Sequence, residues 1–261
     1  MALTNKTIAS TYGDILQVSN SGSGRTANGT VIKDGLGQST SLTLGGKGVS
    51  ITPSSDSVRT FLVENNAGTD LLVVDTTNSV VKAGTTNTYV NTQIKEFGIF
   101  DASPTANTHH PMVAMNGLGG GTSSTTFTLN SFGTGTDPAT TFTLSSQSEH
   151  FVPLIWYIPT AITIDEVRVI AGSDAAETLN FHLFSYTMAT GTASGAGDLS
   201  SGTLLAHNGS SLTTGDDRVT TTTLTVDSAS VAADKVVLAF FENPTDTDDV
   251  TAQLIVKYHY Q

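Results

Sequence analysis

The sequence predicts an all-β protein, a short N-terminal β-meander followed by a jelly-roll-like β-sandwich. Three observations predict it. Charged residues make up only 13% of the chain, about half the ~25% of an average soluble protein, so Ser, Thr, Asn and Gly must supply the polar surface. Thr suits a pleated sheet, while Gly and Asn suit turns. Apolar residues alternate with period two, and turn signals interrupt them roughly every 8–12 residues, as in a sandwich or barrel.

The elements follow in order. Thr11–Val18 is the best helical stretch, weakened by Gly13 in its first turn. Thr30–Lys33 runs into the turn Asp34-Gly35-Leu36-Gly37. Ser41–Leu44 alternates and stops at Gly45-Gly46, and Val49–Ile51 stops at Pro53. Thr60–Glu64, the turn Asn65–Gly68, Asp70–Asp75, the turn Thr76–Asn78 and Ser79–Lys82 read as a meander of short strands. Ribbons this short bury too little apolar surface to stand alone, and the economical partner is another copy of the same segment.

Residues 85–110 read as a polar junction interrupted by Gln93–Phe100, and residues 116–140 as loops around a short strand, Thr126–Asn130. Stronger alternation then predicts strands at Thr141–Leu144, Phe151–Tyr157, Ala161–Ala171, Thr178–Thr187, Thr203–Ala206, Val219–Val226, Lys235–Glu242 and Val250–Tyr260. The alternation of Ile162, Ile164, Val167 and Val169 slips by one after Asp165, which predicts a β-bulge. Loops Ala189–Ser200 and Asn243–Asp249 fall at the ends of the sandwich.

Charge divides the chain. Residues 1–100 carry seven basic and seven acidic residues, whereas residues 101–261 carry four basic and sixteen acidic ones and hold the whole net charge of −12. A neutral segment packs against its copies at little electrostatic cost, and an acidic one repels them and stays solvated. The expected organisation is an assembly and docking stalk over 1–100 and a β-sandwich head domain over 101–261. The acidic balance opposes nucleic-acid binding, which needs a positive footprint. With no cysteine there are neither disulfides nor thiol chemistry. No signal peptide is visible at MALTNKTIASTYGD, and no stretch reaches the ~18–20 apolar residues of a membrane span, so assembly in a cytoplasm is expected.

The stretches KTIASTYGDILQVSNSGSG and VIKDGLGQSTSLTLGGKGVSI resemble the leader of tail-fibre and related virion proteins of marine tailed phages. FLVENNAGTDLLVVDTTNSVVKAG is similar to the strand-turn-strand modules of phage fibre stalks, which repeat and intertwine in threefold bundles. KEFGIFDASPT, HHPM and the acidic β-rich end resemble the head that follows such a stalk. The resemblance implies a non-enzymatic homotrimer located in the virion, with a trimeric β-meander/stalk and partners among the other capsid or tail proteins. The module occurs about once here, which favours a short fibre or spike, able to contact a host-surface glycan or protein. Two other readings are a capsid decoration or cement protein that stabilises the head lattice, and a glycan-binding module.

Candidate chemistry is sparse, and neither a catalytic residue nor a cofactor is expected. His109-His110 beside Asp101 could suggest a metal site, but neighbours on an extended chain point to opposite sides, so a loop or trimer contact is the expectation. Asp246, Asp248 and Asp249 after Pro244 resemble part of a Ca²⁺ loop. They lack the Gly and the distal bidentate Glu of such a loop, so a solvated turn is expected. Asp216-Asp217 after Gly215 reads as a hairpin turn. Asp165-Glu166 would serve glycoside hydrolysis only if both carboxylates faced one cleft ~5–9 Å apart. Gly117–Gly121 lacks the flanking strand, helix and lysine of a phosphate cradle. Trp156, Tyr157, Tyr186, Tyr258 and Tyr260 could stack sugars, although core and interface packing is the expected use.

Overall fold

The computed structural model describes residues 17–18, 29–33, 38–46, 48–84, 88–114, 131–144, 148–245 and 249–261. The turn Asp34–Gly37, the loop Gly117–Gly121, the strand Thr126–Asn130, Asp246, Asp248 and most of Thr11–Val18 lie outside these residues. The protein is essentially all-β. Among the described residues no helix is long and apolar enough to cross a membrane. The chain forms two compact units, Met1–Val90 and Asn91–Gln261.

The first unit holds two four-stranded antiparallel sheets. One is β1 (Gln17–Val18), β2 (Thr30–Lys33), β3 (Ser39–Leu44) and β4 (Val49–Ile51). The other is β5 (Phe61–Glu64), β6 (Asp70–Asp75), β7 (Val80–Ala83) and β8 (Thr88–Tyr89), each strand pairing with the next. Turn chemistry sets the second sheet. The Asn65 carboxamide oxygen accepts from the amides of Ala67 and Thr69, both at 2.9 Å, and Gly68 supplies the left-handed residue at φ 78°. At the next turn Asp75 accepts from the Asn78 amide at 3.0 Å and from its side chain at 2.8 Å.

The second unit begins with β9 (Thr92–Ala102) and β10 (His110–Pro111). A short helical turn, Ser148–Phe151, and a 3₁₀ turn, Val152–Leu154, precede β11 (Trp156–Ile158). There follow β12 (Ile162–Ser173), β13 (Thr178–Met188), β14 (Leu199–His207), β15 (Leu212–Thr213), β16 (Arg218–Val226), β17 (Ser230–Val231), β18 (Lys235–Glu242) and β19 (Val250–Tyr260). They form one large curled sheet in the order β10-β18-β13-β14-β16-β12-β19-β9, with β11, β15 and β17 at its margins. Between β14 and β16 only Ala206↔Val226 and His207↔Thr225 pair, so the sheet turns there. The Gly98↔Val113 bridge, with hydrogen bonds of 2.8 and 2.9 Å, joins the two ends of the order and closes the curl.

Val167, Val169, Leu254 and Val256 from one half meet Phe181, Leu183, Val237 and Phe241 from the other in one apolar core. A second apolar layer lies on the outer face of the β13 half, where Phe184, Tyr186, Leu238 and Phe240 are covered by Phe132, Phe151 and Leu154. The pairing shifts between Ile164 and Glu166, so Asp165 is the extra residue of the expected bulge, and Ile162, Ile164, Val167 and Val169 all stay buried.

Several expectations are corrected. The boundary between units falls after Val90 rather than at residue 100, because Thr92–Ala102 is a full strand paired along β19 and not a junction. Thr141–Leu144 makes one bridge, Phe142↔Leu199, instead of a strand. Phe151–Tyr157 opens as helical turn; Pro153 occupies its first turn, where no amide hydrogen is needed, and extended chain starts only at Trp156. Thr203–Ala206 extends to the nine residues of β14, passing two register shifts against β13.

Candidate functional site

The first unit contains little core of its own. Among its described residues only Ile32 and Val73 are buried hydrophobics. The register explains this. Phe61↔Val74, Val63↔Leu72, Leu72↔Ala83 and Val74↔Val81 place all six residues on one face of the β5–β8 sheet. That face is open, with Phe61 38% and Val63 41% exposed. The opposite face carries Leu62, Val73 and the Asp75–Lys82 ion pair at 3.5 Å. Hydrogen bonds from Asn78, then the nearby Lys82, hold the Asp75 carboxyl below its ordinary range. In the other sheet Leu42↔Ile51 and Leu44↔Val49 share one face, and Val49 is 66% exposed.

Among the described residues these two faces are uncharged. Lys82 and Asp75 lie on the opposite face of their sheet, and Arg59 is held at a hairpin edge by Glu64 at 3.3 Å and by Asp70. Contiguous exposed apolar surface rimmed by polar groups marks an interaction site more often than an ordinary monomer surface. Burying a large side chain of this kind contributes about 1.5–3 kcal/mol.

In the second unit the residues singled out for chemistry are held apart. Asp165 accepts from His259, with Nδ1 2.9 Å from Oδ1, while Glu166 turns to Arg168 at 2.9 Å. No shared carboxylate cleft forms between them. His109, in the loop before β10, and His110 point to opposite sides, as extended geometry requires, and both are buried within their own unit. His110 Nε2 accepts from the Thr105 amide at 3.1 Å and packs on Phe241. Asp101 sits at φ 51° with its amide donating to Thr251 at 3.1 Å. Asp217, at φ 52°, and the Arg218 amide bond to Gly215 O form a turn between β15 and β16. Asp249 accepts from Ser103. Among the described residues no group of three or more His, Asp or Glu side chains is arranged to hold a metal ion.

Of the aromatics, Tyr186 is fully buried and donates to Ala139 O at 2.9 Å. Burial pushes its phenol well above the ordinary range. Trp156 packs on Tyr258, ring centres 4.9 Å apart. Burial, and then the neighbouring Tyr260, push Tyr258 up to about 12. Only Tyr157 and Tyr260 of the five are exposed, and Tyr157 is tied to Asp234.

Sequence reasoning missed a row of three histidines. His109 meets His182 edge-on at 4.9 Å, and His182 lies nearly parallel to His207 at 6.2 Å. Asp137 Oδ1 is 3.5 Å from His182 Nε2, and Asp227 Oδ2 is 2.8 Å from His207 Nδ1. Burial, and then the neighbouring His109 and His207, push His182 down to about 3. The available signal was His182 itself, a titratable residue in an apolar strand, but its partners come from distant segments. A cleft of about 340 Å³, lined mainly by apolar side chains including Leu144, Phe151, Ile155 and Met188, lies elsewhere in this unit.

The chain matches no protein-family model and no curated protein.

Proposed function

We propose that this chain is a non-enzymatic structural subunit of a phage virion, forming a short trimeric fibre or spike. In this reading the N-terminal unit associates with its two copies and docks on other virion proteins, while the second unit projects and is able to contact the host surface. The single observation that carries it is the pair of uncharged apolar sheet faces left open in the first unit, with Phe61, Val63, Val49 and Ile51 exposed. A monomer gains nothing from such faces, whereas threefold packing removes them from water.

The charge distribution supports the same reading. The first unit is neutral and all twelve net negative charges reside in the second, which favours close packing of the former and solvation of the latter. Three heads per projection also turn weak surface contacts into avidity. We read the second unit as a jelly roll. Counting its eight main strands along the chain, the sixth, third, eighth and first are neighbours in one half, and the second, seventh, fourth and fifth in the other. This is the order that two interleaved Greek keys produce.

Light scattering or native mass spectrometry of the full chain tests the assembly. A particle of three times 27.1 kDa is expected, and a stable monomer at micromolar concentration would sink the proposal. Copy number per virion distinguishes a projection, in tens, from a lattice decoration, in hundreds, by the logic of symmetric assembly.

A further inference from the structure

We propose that His182, in the row His109–His182–His207, is an acid-sensitive latch, which holds segment 131–139 on the outer face of the β13 half and releases it when His182 takes up a proton. Three of the segment's hydrogen bonds run through His109. The Phe132 amide donates to His109 O at 2.9 Å, the His109 amide donates to Gly133 O at 3.0 Å, and His109 Nε2 lies 2.8 Å from Gly135 O. A further tie is Tyr186 Oη, which donates to Ala139 O at 2.9 Å, while Asp137 Oδ1 approaches His182 Nε2 to 3.5 Å. The segment thereby seats Phe132 against Phe240, ring centres 4.7 Å apart.

The tautomers follow from these partners. A carbonyl oxygen can only accept, so His109 carries its hydrogen on Nε2, and the Asp137 carboxylate asks the same of His182. Their Nδ1 atoms are then bare lone pairs, both buried and both without a hydrogen-bond partner. A proton added at His182 Nδ1 would create a buried N–H with no acceptor and a buried positive charge packed against two other imidazoles. Water can relieve both penalties only if the covering segment moves. Among the described residues, the charged or titratable groups facing His182 are Asp137 on the segment, His109 before β10, and His207 with Asp227 beyond it. Glu242, two positions from the cross-strand neighbour Phe240, is engaged by Asn180 at 2.9 Å. The depressed proton affinity of His182 agrees with this geometry.

Once exposed, an imidazole regains its ordinary pKa near 6.5. Lowering the pH from 7 to 5 should therefore raise the population of the released state by roughly 25-fold for one titrating ring. Hydrogen exchange of the full chain at the two pH values, corrected for the intrinsic pH dependence of exchange, reads this directly. Peptides covering 131–144 should lose protection by about that factor while β12 and β19 keep theirs, and His182→Gln should abolish most of the difference. Unchanged protection in the native chain, or an equal loss in His182→Gln, would overturn the latch. If that variant does not fold, the imidazole C2–H resonances of the native chain decide. A His182 signal that titrates near pH 6.5 with the segment still protected refutes the proposal, and one that titrates only as protection is lost supports it.

Discussion

Asp165 is pushed out of register by the bulge in β12, and its carboxylate receives His259 Nδ1 at 2.9 Å from the neighbouring strand β19. The irregularity is thus capped by a polar pair, with the side chain of His259 8% exposed and that of Asp165 19%. Asp165→Ala would leave that imidazole without its carboxylate. The expected cost is about 1–3 kcal/mol, measured as a lower urea midpoint with an unchanged slope. A change below a few tenths of a kcal/mol would mean that the bulge holds itself through the ladder alone.

The open face of β5–β7 leads to a prediction about association. Val63→Asp should shift the full chain toward monomer in light scattering. In the proposed trimer it removes about 1.5–3 kcal/mol of burial per chain and sets like charges on the packed faces against one another. The circular dichroism of the second unit should be unaffected, since that unit has a core of its own.

How much of this was legible in the sequence depended on how far apart the contributing residues lie. Lys235–Glu242 and Val250–Tyr260 were readable to the residue, because apolar runs bounded by Asp234 and by the turn after Asn243 leave little freedom. The bulge at Asp165 was legible too, as a slip in a period-two pattern. Thr92–Ala102 was not, since Lys95, Glu96 and Gly98 break its apolar pattern, and its place beside β19 is settled by pairing across more than half the chain. The covering layer escaped for a related reason. Phe132 and Phe142 stack at 4.4 Å in irregular chain, and such packing has no sequence period. The open faces of the first unit were expected because four-residue strands cannot bury both of their sides.

His182 also makes global stability depend on pH. Its native pKa is depressed to about 3, while the unfolded value is ~6.5, so between these limits the unfolded chain binds more protons. Stability therefore falls as the pH drops below 6.5, by up to ~1.4 kcal/mol per pH unit, or about 2 kcal/mol from pH 7 to 5. Urea unfolding at the two pH values should show this loss, and His182→Gln should flatten it. A chain equally stable at pH 5 and 7 would mean that other groups compensate or that the ring is hydrated.

Gly202 in β14 sits where the covering segment meets the sheet. Its amide donates to Thr140 O at 2.9 Å, and a Cβ built there would lie 2.7 Å from both Thr140 Cα and the Tyr186 ring. One of these contacts is backbone and the other a ring buried under Phe132, so neither can yield cheaply. Gly202→Ala should therefore cost about 1–3 kcal/mol despite adding a single methyl group. The strain should fall first on the covering layer, because Thr140 moves more easily than a tyrosine wedged between Phe184 and Phe240. Tyr186→Phe, which loses the bond to Ala139 O, should cost only about 0.5–1.5 kcal/mol. Near-equal melting temperatures for Gly202→Ala and the native chain would show that the segment can lift by an ångström without penalty, and the close approach would then be no constraint on the fold.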